Sequence, residues 1–190
     1  MNRLTKTIFV YTLLAAVIII YLLFHLSPVR LAQGVYVPKP KPIENFELLD
    51  NQGQMFTKNQ LKNHWSLLFF GFSQCELICP LTLKLFAQTY QALPKAKKPQ
   101  VIFISVDPEH DSLEKLTTFV QQFNQQFIAL RGSLPEINAL QKQLHVTISK
   151  TAKSHGTEIL LINPQAGVQA YFYSPISSEK FLSDLELLIH

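Results

Sequence analysis

Cysteine is scarce in this chain: 190 residues contain two, Cys75 and Cys79. That excludes a multi-disulfide scaffold and leaves either one bridge or a functional dithiol. Neighbours this close would make a poor structural staple, because so short a loop removes little entropy from the unfolded chain. No cysteine follows the apolar N-terminal run, which counts against a lipoprotein anchor, and no Arg-rich, acid-poor presequence precedes it, which counts against mitochondrial import. Internal repeats and low-complexity tracts are absent. Charge of one sign is not in large excess: 17 Lys and Arg face 13 Asp and Glu, and two of the cations, Arg3 and Lys6, precede the apolar run. Nucleic-acid binding is not indicated by so weak a surplus. The one basic cluster, Lys95 to Lys98, sits between Pro94 and Pro99 and reads as a solvated loop.

What is present begins with Ile8 to Leu26, almost wholly apolar, with Thr12 and His25 as its polar breaks. A helix needs about 20 such residues to cross a bilayer core. An uncleaved transmembrane anchor is expected over a cleaved signal peptide, since Arg30 stands where cleavage after Ala32 would need a small residue. Arg3, Lys6 and the amino terminus favour the inside, so the body of the chain is expected outside. The predicted organisation is a tail and anchor over 1–28, a Pro-rich linker over 29–43 and one domain over 44–190.

Within the domain, hydrophobic periodicity predicts the order β-β-β-α-β-α-α-β-β-α. Two short strands, Phe46–Leu49 and Gln54–Thr57, flank an Asp50–Gly53 turn, and Ser66–Phe72 is a continuous apolar strand. Leu81–Leu93 reads as a helix and Val101–Val106 as the second central strand. Asp111 and Glu114 form a capping signature for a helix carrying Leu113, Leu116, Val120, Phe123 and Phe127 on one face. Ser133 and Glu136 cap the next helix. Glu158–Ile162 and Gln169–Tyr173 make a hairpin around Asn163–Gly167, and a last helix starts at Ser178. This order predicts an α/β, thioredoxin-like sandwich with a central mixed sheet.

The chemistry concentrates where the Ser66 strand gives way to a helix, in Gly71-Phe72-Ser73-Gln74-Cys75-Glu76-Leu77-Ile78-Cys79-Pro80. Residues four apart across a helix start share a face, so the two sulfurs can close on each other or on one metal ion. The partial positive charge of the helix N-terminus is expected to favour thiolates. Pro80 suits the first turn, where a missing N–H costs nothing. Six histidines are available as a further donor. His25, His64, His145 and His190 lie at element ends away from the Cys loop. His110, in Asp107-Pro108-Glu109-His110-Asp111, reads first as part of a turn and helix cap, although its loop should open on the same sheet edge as the Cys loop. His155, in the polar stretch leading to the third central strand, comes within reach of the cysteines.

Three motifs occur in order: Gly71-Phe72-Ser73-x-Cys75-x-x-Ile78-Cys79-Pro80, Ser105-Val106-Asp107-Pro108-Glu109-x-Asp111-Ser112, and His155 ahead of Leu161-Ile162-Asn163-Pro164-x-x-Gly167. With the anchor, they resemble the SCO/SenC family of membrane-anchored, thioredoxin-like copper proteins of cytochrome c oxidase assembly. The resemblance implies that Cys75, Cys79 and His155 are copper ligands. It also implies delivery of copper to the CuA centre of oxidase subunit II, from a domain facing the periplasm on a single-pass anchor in the bacterial inner membrane. Two thiolates and an imidazole suit Cu(I) and can hold Cu(II), whereas structural zinc would want a fourth ligand. Two positions depart from the family pattern: Leu77 stands where an acid is frequent, and Ser154 where Asp is frequent. The alternative reading is a thiol–disulfide oxidoreductase using Cys75 and Cys79 as its redox pair to reduce the oxidase's CuA-site cysteines or another exported protein. The Cys-x-x-x-Cys spacing and the third donor favour metal over that alternative.

Overall fold

The computed structural model describes residues 3–25, 29–146 and 158–189. It divides into two compact units, Met1–Arg30 and Leu31–His190.

The first unit holds helix α1, Arg3–His25. Ile8, Phe9, Leu13, Val17 and Ile20 are all more than half exposed, so its apolar side chains point in every direction. Thr12 turns its hydroxyl back to donate to the Phe9 carbonyl at 2.9 Å, as a polar side chain does on an otherwise apolar helix. Among the described residues no helix is long and apolar enough to cross a membrane, so the span expected over Ile8–Leu26 is not confirmed.

The second unit is built on one eight-stranded mixed sheet in the order β1-β8-β7-β4-β5-β6-β2-β3. Its strands are β1 Val35–Tyr36, β2 Glu47–Asp50, β3 Met55–Thr57, β4 Ser66–Gly71, β5 Gln100–Ser105, β6 Ile128–Arg131, β7 Ile159–Ile162 and β8 Val168–Phe172. The helices are α2 Ile78–Ala92, α3 Leu113–Gln121, α4 Leu134–Gln143 and α5 Ser178–Leu188. β4 is parallel to β5 and antiparallel to β7, and every one of its residues is buried. Both of its faces must therefore be covered. Leu67 and Phe69 face one cluster with Phe86 of α2, Leu116 of α3 and Phe181 of α5, while Leu68 and Phe70 face another with Ile137 and Leu140 of α4. Alternation along the strand sends successive side chains to opposite layers. Phe181 joins the first layer together, edge-on to Phe172 with ring centroids 4.8 Å apart and stacked on Phe86 at 6.2 Å. Truncating a fully buried ring such as Phe86 to Ala would cost about 3–5 kcal/mol.

Several expected elements change here. Helix α3 stops at Gln121 and does not run on through Phe123 and Phe127. Asn124 ends it: its side chain accepts the Gln126 N–H at 2.9 Å, its carbonyl accepts the Phe127 N–H, and the chain turns into β6, a strand the hydrophobic pattern did not separate from the helix. The cap of α3 is Ser112, whose Oγ accepts the Lys115 N–H, and Asp111 turns inward. Helix α2 begins at Ile78, three residues before the predicted start, which brings Cys79 into its first turn. Ser133 and Glu136 form the expected capping box of α4, and the charge-stabilising bonds hold the Glu136 carboxyl below the usual range.

The Pro-rich stretch follows the sheet closely. Val35 and Tyr36 pair with Tyr171 and Ala170, the Val37 N–H donates to Gln169 and the Ile43 N–H to Ala166. Before that strand, the backbone N–H groups of Ala32, Gln33 and Gly34 all donate to the carboxylate of Asp184 on α5.

Candidate metal centre

Register places the site. Gly71, the last residue of β4, is paired with Ser105, the last of β5, and the Val106 N–H donates to the Gly71 carbonyl at 2.8 Å. Two parallel strands that end together release their following loops at one sheet edge. The Cys loop and the 106–112 loop are therefore neighbours, as expected. β7 runs the other way, with Ile159 opposite Phe69, so the chain enters β7 from this same edge.

Cys75 and Cys79 are both free thiols, 7% and 3% exposed. Leu77, the helix N-cap, offers no side-chain acceptor; instead the Cys79 N–H donates to the Cys75 sulfur at 3.3 Å. One cysteine thus caps the helix that carries the other, which fixes the pair at close range. A shallow, open depression lined by Phe72, Gln74, Cys75, Glu76, Leu77 and Ile78 leads solvent to the first sulfur. Gly71 lies directly under the second: a β-carbon there would stand 2.6 Å from Cys79 Sγ and 2.7 Å from the Phe103 ring.

The loop is held from behind by Asp111, which is 1% exposed. Its carboxylate accepts the Ser73 N–H at 3.1 Å, the Ser73 hydroxyl, and the Ser105 hydroxyl at 2.6 Å. Arg131 secures the other loop, donating from Nε to the Asp111 carbonyl at 2.9 Å and from Nη2 to the Pro108 carbonyl at 2.7 Å. Arg131 carries no signal in the sequence reading, Gly71, Ser73 and Ser105 enter it only as motif positions without a role, and Asp111 reads there as a cap. The signal for Asp111 was its place two residues before the first apolar position of α3, which suits an N-cap as well as an inward carboxylate.

Electrostatics correct one expectation. The helix N-terminus does not leave Cys79 inclined to ionise; its thiol is pushed well above 9.0, chiefly by burial. A backbone hydrogen bond at Phe72 pulls the other way, while Cys75 and the Asp111 carboxylate push further up. Desolvation outweighs the helix end because the sulfur sits within the core cluster rather than at the helix mouth. A cation that replaces the proton would remove that penalty. Two buried, adjacent, reduced sulfurs fit a soft monovalent metal on donor chemistry.

His155 lies outside the described residues, as does His190. His64 and His145 are exposed, each beside or at a residue with positive φ. His110 is bound through Nδ1 to Asp107 at 2.9 Å. Among the described residues, the ligand atoms of Asp107, Glu109 and His110 gather within 4.8 Å of one another, and neither cysteine belongs to that group. The structure therefore brings Cys75 and Cys79 together and adds no third donor from the described residues.

Comparison with known proteins decides the lineage. The SCO1/SenC family model matches residues 37–190. The chain belongs to the SCO1/SenC family. An SCO2-like protein of Rickettsia prowazekii is 29% identical over 195 residues, 95% of each chain. Copper-bound ScoI of Arabidopsis thaliana superposes with a TM-score of 0.71 at 25% identity, over 78% of this chain and 98% of that one. BsSco, a member of the Sco family of cytochrome c oxidase assembly proteins, superposes with a TM-score of 0.67 at 24% identity, over 80% of this chain and 96% of that one. These neighbours share the family's thioredoxin-like fold, so the mixed sheet with helices on both faces is that fold.

Proposed function

We propose that the chain is a membrane-anchored copper carrier that takes one copper ion as cargo on Cys75, Cys79 and His155 and delivers it to the CuA centre of cytochrome c oxidase subunit II. The observation that carries this reading is the pair of reduced, buried sulfurs, one capping the helix of the other, in a SCO1/SenC chain that superposes on a copper-bound relative. Topology supports His155 as the nitrogen donor, since the segment carrying it enters β7 from the edge where the Cys loop opens. The apolar run Ile8–Leu26 supplies the anchor, and the positive residues before it favour a periplasmic domain at the bacterial inner membrane.

The chain's own residues do the holding. Cys75 and Cys79 give up their protons to the solvent as copper binds, and the depression beside Cys75 is the route by which an acceptor's thiols reach the ion. The test is copper stoichiometry of the reduced protein under anaerobic conditions, with X-ray absorption on the Cu(I) form. One copper with two sulfur neighbours and one nitrogen is expected. Full affinity in a Cys75→Ser/Cys79→Ser variant would sink the reading.

A second reading rests on the same pair. Free cysteines in contact across a helix start also suit a thiol–disulfide oxidoreductase. Copper-free protein that reduces an oxidised CuA-site acceptor, with no metal transfer from the loaded form, would favour it over the carrier.

A further inference from the structure

We propose that Asp111 is the positioning residue of the cysteine loop, a role that deepens the copper reading and rests on it only for its spectroscopic test. Asp111 belongs to the loop after β5, yet its carboxylate is spent on the loop after β4. One side chain accepts from the Ser73 backbone, the Ser73 hydroxyl and the Ser105 hydroxyl. Ser105 in turn accepts the Asp107 N–H at 3.1 Å, so the same cluster reaches both strand ends. Ser73 lies two residues before Cys75, and the Cys75 N–H donates to Phe72 at 3.2 Å. A fixed Ser73 therefore fixes the turn on which the first sulfur stands.

The burial argues for positioning. A carboxylate 1% exposed is costly to keep unless its oxygens are fully bonded, and here three donors converge on it. Arg131 does not pair with the carboxylate; it takes the Asp111 and Pro108 carbonyls, and so holds the backbone that aims the side chain. No oxygen of Asp111 is given to its own helix, which Ser112 caps instead. The carboxylate is a strut between two loops whose ends meet at the site.

The experiment uses full-length reduced protein in detergent, with amide hydrogen exchange as the copper-free readout. In Asp111→Ala, amides of Ser73 to Ile78 are expected to exchange about tenfold faster, while those of β7 and β8 keep their rates. Ser73→Ala, which removes one hydroxyl and leaves the core intact, should show a smaller acceleration at the same amides. Asp111→Asn keeps an acceptor oxygen in place and should return exchange to within about threefold of wild type. The second readout is the sulfur-to-Cu(II) charge-transfer band, expected to shift in Asp111→Ala and to be restored in Asp111→Asn. Unchanged exchange at Ser73–Ile78 in both alanine variants would overturn the proposal. So would acceleration spread evenly over the sheet, or Asp111→Asn as fast as Asp111→Ala. If wild type itself shows neither this band nor Cu(I) binding, the copper reading fails, and exchange still decides Asp111.

Discussion

The sulfur of Cys79 and the α-carbon of Gly71 are in such close approach that a methyl group on Gly71 would sit 2.6 Å from Cys79 Sγ. Glycine is needed here for space, since the Phe103 ring closes the other side at 2.7 Å. Gly71→Ala should push the first turn of α2 outward and cost about 1–3 kcal/mol, read as a lower denaturation midpoint. Alkylation of Cys79 in the native protein should become faster. Wild-type stability with wild-type alkylation would show that the helix start yields without strain.

Asp184 bears on how the domain should be cut. Its carboxylate is 2% exposed and takes the N–H groups of Ala32 at 2.6 Å, Gln33 at 3.0 Å and Gly34 at 3.2 Å. Asp184→Ala would leave these donors without a partner, at a cost of roughly 1–3 kcal/mol. Protease cleavage within 31–43 should rise in that variant. A fragment starting at Leu31 should melt higher than one starting at Lys41, and equal melting would show that the strap adds nothing.

Alkaline pH should destabilise the copper-free, reduced protein. The Cys79 thiol is raised above 9.0, so the unfolded chain loses this proton before the folded one does. The stability it contributes is present in full below pH 9.0 and falls as pH rises beyond it. Tyr171, raised from 10.0 chiefly by burial, adds to the slope only above that value. Denaturation midpoints followed through this range should drop first near pH 9, and Cys79→Ser should remove the early part of the decline. A flat profile in wild type would contradict the assignment.

Exchanging the proposed nitrogen donor separates the two oxidation states. Two thiolates hold Cu(I) in near-linear geometry, whereas Cu(II) prefers more ligands with nitrogen among them. His155→Ala should keep measurable Cu(I) binding and lose most of the sulfur-to-Cu(II) absorption. Equal loss of both forms would refute that ordering, and an unchanged Cu(II) spectrum would remove His155 from the ligand set.

Much of the fold was legible because the core strands carry unbroken apolar runs. Leu67 to Phe70 and Val101 to Ile104 have no polar partner to confuse the pattern, and the Asn163–Gly167 turn is marked by its own residues. β6 was not legible, since Phe123 and Phe127 continue the spacing of α3, and only the Asn124 turn ends it. β1 was hidden in a Pro-rich stretch whose pairing depends on β8, a strand far away in sequence: Tyr36 stands opposite Ala170, 134 residues on.

Sequence by itself determined the two cysteines, their spacing, the helix start that follows them and the family to which they belong. Each is a local property, carried by neighbouring residue types and their period. Tertiary structure alone decided that Asp111 faces Ser73 and not its own helix, that Asp184 receives the backbone of Ala32 to Gly34, and that burial pushes the Cys79 thiol up. Those outcomes depend on which groups the packed sheet leaves buried and within reach. Burial and long-range hydrogen bonding arise only once distant segments meet.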